Sequence, residues 1–162
     1  MTNGRSGTRL DALEFRAWRA FLYAYSTLVP ALDRDLIGEL GVSLNQFEIL
    51  NRLRRAGERG LRMSDLASWV VLSPSGVTRA VDQFERKGLV ERSVFEGDKR
   101  GYLATLTAEG RALLRAATSV HVRGLREHFL SHMTRTELEG LVNALEAVLD
   151  GEGTPIPPLT AS

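Results

Sequence analysis

Cysteine is missing from all 162 residues. Its absence excludes disulfides, thiolate nucleophiles and sensing by cysteine oxidation. Lysine is nearly missing: Lys87 and Lys99 are the only two, so positive charge is almost entirely arginine. No apolar run approaches the roughly 20 residues that span a bilayer, so a membrane partner is not expected. The opening stretch, MTNGRSGTRL, lacks the apolar centre of a signal peptide, and a cytoplasmic location is the expectation. The chain also lacks a glycine-rich phosphate loop, a Ser/His/Asp order and paired carboxylates in an evident cleft. Neither an enzyme nor a cofactor is expected.

What is present is an ordinary globular composition, 43% apolar and 25% charged. The length suits one domain, with or without an oligomerisation element. The net charge of +1 hides an uneven distribution. Residues 1–50 hold 5 basic and 6 acidic side chains, residues 51–100 hold 11 and 7, and residues 101–162 hold 5 and 7. The middle third is therefore net +4 between two slightly acidic ends. A local basic stretch can bind a polyanion while the whole chain is neutral, although a solvated surface has the same composition.

Periodicity divides the chain into helices and one hairpin. From Leu10 to about Leu40, Leu10, Leu13, Ala17, Phe21, Ala24 and Leu28 form a helical stripe, widened by Phe15, Trp18, Tyr23 and Tyr25. A helix apolar on more than one side needs more than one partner surface. Pro30 predicts a kink or restart, and Gly41 a stop. Ser43 and Gln46 have capping-box spacing before a helix that ends at Gly57, with Leu44, Phe47, Leu50 and Leu53 inward. Leu61–Met63 reads as a short strand and SDLASWVVL as a short helix. In SPSGVTRAVDQFERKG, Ser73 is a cap, Pro74 a first helical residue and Gly88 a stop. Its buried stripe is Val77, Ala80, Val81 and Phe84; Ser75, Thr78, Arg79, Asp82 and Arg86 face out. LVERSVF and YLATL flank EGDKRG as a hairpin. Thr107 caps a helix predicted to run to about Ser131, interrupted by Gly124. Thr134 and Glu137 start a last helix through Leu149. Residues 151–162 form a Gly/Pro-containing tail, expected to be disordered.

Two short helices joined by a tight turn make a helix-turn-helix, whose second helix enters the DNA major groove. The outward face of that helix is chemically suitable. Ser75 and Thr78 donate to phosphates or bases, Arg79 forks to a guanine edge or a phosphate, and Gly76 allows close approach. An adjoining hairpin can reach the backbone or the minor groove.

The stretch LSPSGVTRAVDQFERKGLVERSVFEGDKRGYLATLTAEG, Leu72 to Gly110, resembles the MarR family of bacterial regulators. The likeness rests on the second helix, on FERKGLVER leaving it, which follows the L-x-x-x-G-L-V-x-R pattern except for Phe84 in its first place, and on D-x-R-x-x-x-x-x-L-T-x-x-G at Asp98, Arg100, Leu106, Thr107 and Gly110. LNQFEIL and MSDLA also fit. The resemblance implies a mainly α fold with a small β-hairpin wing, a winged helix-turn-helix carrying N- and C-terminal dimerisation helices. Residues 9–42 and 107–150 would dimerise, and residues 43–106 would bind double-stranded DNA as a pseudo-palindromic operator. The candidate DNA contacts are Ser73, Ser75, Gly76, Thr78 and Arg79 on the helix and Asp98, Lys99 and Arg100 on the wing. Arg100 would reach the minor groove from the wing tip, and Asp98 would brace it. Arg52, Arg54 and Arg55 read as a solvated face. The resemblance also implies a small aromatic or anionic effector, for which Trp18, Tyr25 and Trp69 are the candidate lining. His128 and His132 have a metal-compatible spacing if helical. Zinc-sensing members take further ligands from the first two helices, where this chain has neither His nor Cys, so no metal site is assigned. The alternatives are a metal-sensing member of the same family and a winged-helix protein–protein adaptor that does not bind DNA.

Overall fold

The computed structural model describes residues 9–68, 74–94 and 102–153. Its order is α1 (Ala12–Leu40), α2 (Leu44–Ala56), β1 (Leu61–Arg62), α3 (Met63–Ser68), α4 (Pro74–Arg86), β2 (Val90–Val94), β3 (Tyr102–Leu106), α5 (Ala108–His128) and α6 (Arg135–Gly151). Single 3-10 turns cover Gly57–Arg59 and Leu130–His132.

Local chemistry explains the helix ends. Ser43 and Thr134 make the expected capping boxes with Gln46 and Glu137. A third box, Asp11 with Glu14, starts α1 and was not anticipated from the sequence. Its two bonds, Glu14 N to Asp11 Oδ1 and Asp11 N to Glu14 Oε2, are both 2.8 Å. The restart expected at Pro30 does not occur: α1 continues through it to Gly41. A proline removes one backbone donor, but the next turn is anchored by the buried Ala31, Leu32 and Leu36, so the helix is held by packing.

The strands form one antiparallel sheet in the order β1-β3-β2. The hairpin register pairs Val90 with Leu106, Arg92 with Ala104 and Val94 with Tyr102. β1 adds to the other edge of β3, Leu61 opposite Ala104. Gly60 makes that addition possible. Its φ is +65°, and a Cβ there would lie 2.9 Å from the Ala104 carbonyl oxygen.

One continuous core runs through the middle. Phe47, Ile49, Leu50 and Leu53 of α2 meet Leu66, the Val77, Ala80, Val81 and Phe84 stripe of α4, Val90, Ala104 and Leu106 of the sheet, and Leu114, Ala117 and Val120 of α5. Leu36 and Val42 close it from the α1 side. Leu44, expected inward, is only partly buried, while Ile49 takes a fully buried place.

The C-terminal half of α1 lies along α5. Asp35 Oδ2 is 3.0 Å from His128 Nε2, and Glu39 pairs with Arg123. Asp33 Oδ1 accepts from Leu44 N at 2.7 Å, which adds a carboxylate to the start of α2. Gly124 is a point of close approach rather than a break. It is buried inside α5, and a Cβ there would meet Asp35 Oδ2 at 2.8 Å and Leu32 Cδ2 at 3.0 Å. α5 stops at His128, three residues short of the expected Ser131, because Phe129 leaves helical geometry (φ −130°, ψ −64°).

The remaining helical surface is unlike this. Every apolar side chain of α1 from Leu13 to Tyr25 is exposed, and no described side chain of α6 is buried.

Candidate nucleic-acid interface

α4 is amphipathic in the way the sequence predicts. Val77, Ala80, Val81 and Phe84 are buried, whereas Ser75, Thr78, Arg79 and Arg86 are exposed and Gly76 half-buried. Arg79 has no ion pair among the described residues. Asp82, three residues on along α4, is engaged elsewhere: Arg92 Nη2 lies 2.5 Å from Asp82 Oδ1. Asp82 therefore does not simply face out, as the sequence reading had it; it is half-buried against β2. On the opposite flank, Gln46 Nε2 donates to Gln83 Oε1 at 2.8 Å, tying α4 to α2.

The exit of α4 is equally fixed. Leu89 N donates to Phe84 O and Gly88 N to Glu85 O, both at 2.9 Å. Thr107 then joins this exit to the start of α5. Its Oγ1 donates to Gly88 O at 2.7 Å and accepts from Gly110 N at 3.0 Å, and its own N donates to Leu89 O. A Cβ at Gly110 would collide with the Leu89 carbonyl. The L-T-x-x-G part of the pattern is thus structural: it seats α5 on the turn that links the helix to the hairpin.

Ser73, Asp98, Lys99 and Arg100 lie outside the described residues, as does Trp69. The strands that carry the wing tip are placed, with Val94 and Tyr102 as the last described pair. Arg54 and Arg55 occupy the last turn of α2, where cations complement the helix dipole, and Arg54 also hydrogen-bonds Asn51.

Trp18 and Tyr25 do not converge on a cavity within one chain. They are 54% and 55% exposed on the uncovered half of α1, with Trp18 stacked on Phe21 at 6.1 Å. An open groove of about 390 Å³ lies elsewhere, along Thr118, Ser119, Val122, Arg123 and Arg126 of α5. The histidines separate as well. His128 faces Asp35, and His132 sits on the 3-10 turn after the helix has ended, so the two do not share a helical face. His121 packs against Phe47 with ring centroids 4.7 Å apart. Among the described residues no cluster of three or more His, Asp or Glu side chains is arranged to hold a metal.

A helix-turn-helix with a strand pair leaving the second helix, set between two long helices, invites comparison with known regulators. The MarR family model matches residues 42–102, from two residues before α2 to the first residue of β3. The regulator PecS of Dickeya dadantii is 30% identical over 119 residues, covering 72% of this chain and 71% of PecS. The chain belongs to the MarR family. MarR proteins are DNA-binding transcriptional regulators, not enzymes. The transcriptional repressor Rv2887 of Mycobacterium tuberculosis is 30% identical over 125 residues, covering 77% of this chain and 88% of its own. The MarR-family regulator Sco3205 of Streptomyces coelicolor, solved in complex with DNA, superposes with a TM-score of 0.81 at 30% identity. The match covers 98% of this chain and 96% of Sco3205.

Proposed function

We propose that this MarR protein is a homodimeric, effector-responsive repressor that reads a pseudo-palindromic operator. α4 enters the major groove with Ser75, Gly76, Thr78 and Arg79, and the wing carries Asp98, Lys99 and Arg100 along the minor groove. The carrying observation is α4 itself. One face is locked by the core and by Gln46 and Arg92, while the other presents hydroxyls and an arginine to solvent. Ser73 lies just before the helix and completes the set.

Dimerisation is supported by the uncovered apolar surfaces of α1 and α6, and repression by the likeness to the repressor Rv2887. A two-fold dimer places its two α4 helices about one DNA turn, roughly 34 Å, apart. The effector is a small aromatic or anionic molecule, with Trp18, Tyr25 and Trp69 as its proposed lining. Titration of tryptophan fluorescence with aromatic carboxylates tests that part.

The central test uses a duplex enriched by the wild-type protein from a random-sequence pool. Arg79→Ala is expected to relax base preference by roughly 1–3 kcal/mol per contact. Arg100→Ala is expected to weaken binding to all sequences and, with two copies per dimer, to lower the salt slope by about two units. Wild-type affinity and salt slope in both variants would overturn the interface. An absence of any salt-sensitive binding by the wild type would favour a protein adaptor.

A further inference from the structure

The sequence pattern that leaves α4 ends on Arg92, a residue on a strand rather than on the exposed face of the helix. Its guanidinium reaches back across the interface. Nη2 is 2.5 Å from Asp82 Oδ1 and Nη1 is 3.3 Å from Glu85 Oε2. The arginine side chain is 20% exposed and each carboxylate 44%. Arg92 is fixed at the middle of β2 by its pairing opposite Ala104.

We propose that Arg92 is a positioning residue for DNA reading, setting the rotation of α4 relative to the wing and masking two carboxylates beside the DNA-facing surface. Asp82 follows Thr78 and Arg79 by four and three residues, so it shares their side of the helix. A bare carboxylate there repels the phosphate backbone. Arg92 supplies the compensating charge without occupying the contact face. Its planar fork gives one nitrogen to each acid, a division that a lysine point charge does not reproduce. With Gln46 holding Gln83 from the other flank, α4 is gripped from both sides. Arg92 is the grip that comes from the wing strand, so the two DNA-contacting elements are presented as one rigid unit.

This inference rests on the reading that α4 contacts DNA, and Arg79→Ala separates the two. The probes are the enriched duplex described above and a shuffled duplex of the same composition, each titrated across a range of salt. Arg92→Gln is expected to lower the ratio of affinities, enriched over shuffled, by about tenfold, comparable with losing one base contact. The salt slope should change by well under the roughly two units that two phosphate-bound arginines would release. Arg92→Lys should recover part of the ratio. Asp82→Asn should bind the shuffled duplex more tightly and yet discriminate less well. With Asp82→Asn and Glu85→Gln both in place, adding Arg92→Gln should leave the ratio unchanged.

A residue that merely supports the fold would lower the melting temperature and both affinities together, leaving the ratio intact; that result overturns the proposal. So does a full two-unit loss of salt slope, which marks direct phosphate contact, or an equal loss of ratio in the acid-free background. If Arg92→Gln does not fold, by circular dichroism, Asp82→Asn and Arg92→Lys carry the same test. If Arg79→Ala also keeps the wild-type ratio, the reading of α4 fails. If Arg79→Ala loses the ratio and the Arg92 variants keep it, the positioning role alone fails.

Discussion

Leu50 and Phe21 are both large apolar residues on amphipathic helices, yet Leu50 is 0% exposed and Phe21 is 47% exposed. The contrast extends to their surroundings. α2, α4, the sheet and α5 bury one another's apolar faces within a single chain. The first half of α1 leaves Leu13, Phe15, Trp18, Phe21, Leu22 and Tyr25 in solvent, and α6 does the same with Val142, Leu145 and Val148. Soluble monomers rarely keep contiguous apolar surfaces of that kind uncovered. The middle of the chain thus buries its apolar faces within one subunit, while the first half of α1 and α6 leave theirs uncovered. In the proposed dimer the same α1 serves both purposes: its second half closes the core of its own subunit, and its first half joins the other.

The largest expected effect comes from breaking the uncovered side of this comparison. Leu145→Glu or Phe21→Glu places a charge in the proposed dimer surface. Either should give a monomer by light scattering and lose operator binding with it, since one α4 cannot span two half-sites. The core of the middle region should survive, with far-ultraviolet circular dichroism retained over most of the helix signal. A wild type that scatters as a monomer at working concentration would overturn the comparison itself.

Breaking the closed side should look different. Leu50→Ala removes a fully buried side chain that Phe47 and Leu53 flank on the same helix. A cavity of this kind typically costs about 2–5 kcal/mol. The loss should appear as a lower denaturant midpoint at every protein concentration, whereas the monomeric α1 and α6 variants should lose the concentration dependence that a wild-type dimer shows. Equal concentration dependence in both classes would mean that the core is not independent of the dimer.

What was legible in the sequence follows the same division. The α4 stripe, two of the capping boxes and the hairpin were readable because each is encoded locally, by helical period, by Ser43 with Gln46, and by two β-like runs around a glycine-bounded turn. Of the kink or restart expected at Pro30, no restart occurs, because proline's effect is local whereas the helix after it packs along α5, with Leu32 beside Gly124 about 90 residues away in sequence. The end of α5 was misplaced because nothing local marks Phe129 as a stop. Arg92 was read only as part of a pattern, because its partners lie 7 and 10 positions earlier, across a turn whose geometry the sequence does not display. Asp82 was read as outward for the same reason. The hydroxyl and arginine face of α4 was legible because it is what remains once the buried stripe is assigned.

A smaller effect sharpens the boundary between α2 and α5. Burial against Phe47 lowers the pKa of His121, and its Nδ1 has no hydrogen-bond partner among the described residues. The unfolded chain binds this proton more readily than the folded one. The His121 contribution is therefore intact above the ordinary imidazole value of about 6.5 and is lost as pH falls from there through the lowered folded value. His121→Leu should flatten the fall in melting temperature between about pH 7.5 and pH 5, a comparison in which the Asp35–His128 pair is present in both proteins. Parallel curves would show that burial at this position is not transmitted to stability.

The smallest expected effect compares two caps built alike. Ser43 and Thr134 each accept from the backbone N–H three residues on, and each is answered by the side chain of that residue. Hydrogen bonds from Thr134 hold the Glu137 carboxyl below its ordinary pKa. Replacing a Ser or Thr cap by alanine typically costs about 1 kcal/mol. In Ser43→Ala that loss falls on a helix whose other face is locked in the core, and on an end also held by Asp33 through Leu44 N. It should lower the melting temperature equally at all protein concentrations. In Thr134→Ala it falls on a helix with no buried side chain, whose order in the proposed dimer depends on the partner. Its loss should therefore appear mainly as weaker self-association, measurable by sedimentation at low concentration, with the unfolding of the middle region unmoved. If Thr134→Ala instead destabilises the chain at every concentration and leaves association unchanged, α6 is ordered by its own subunit, and the contrast between the closed middle and the open ends does not extend to it.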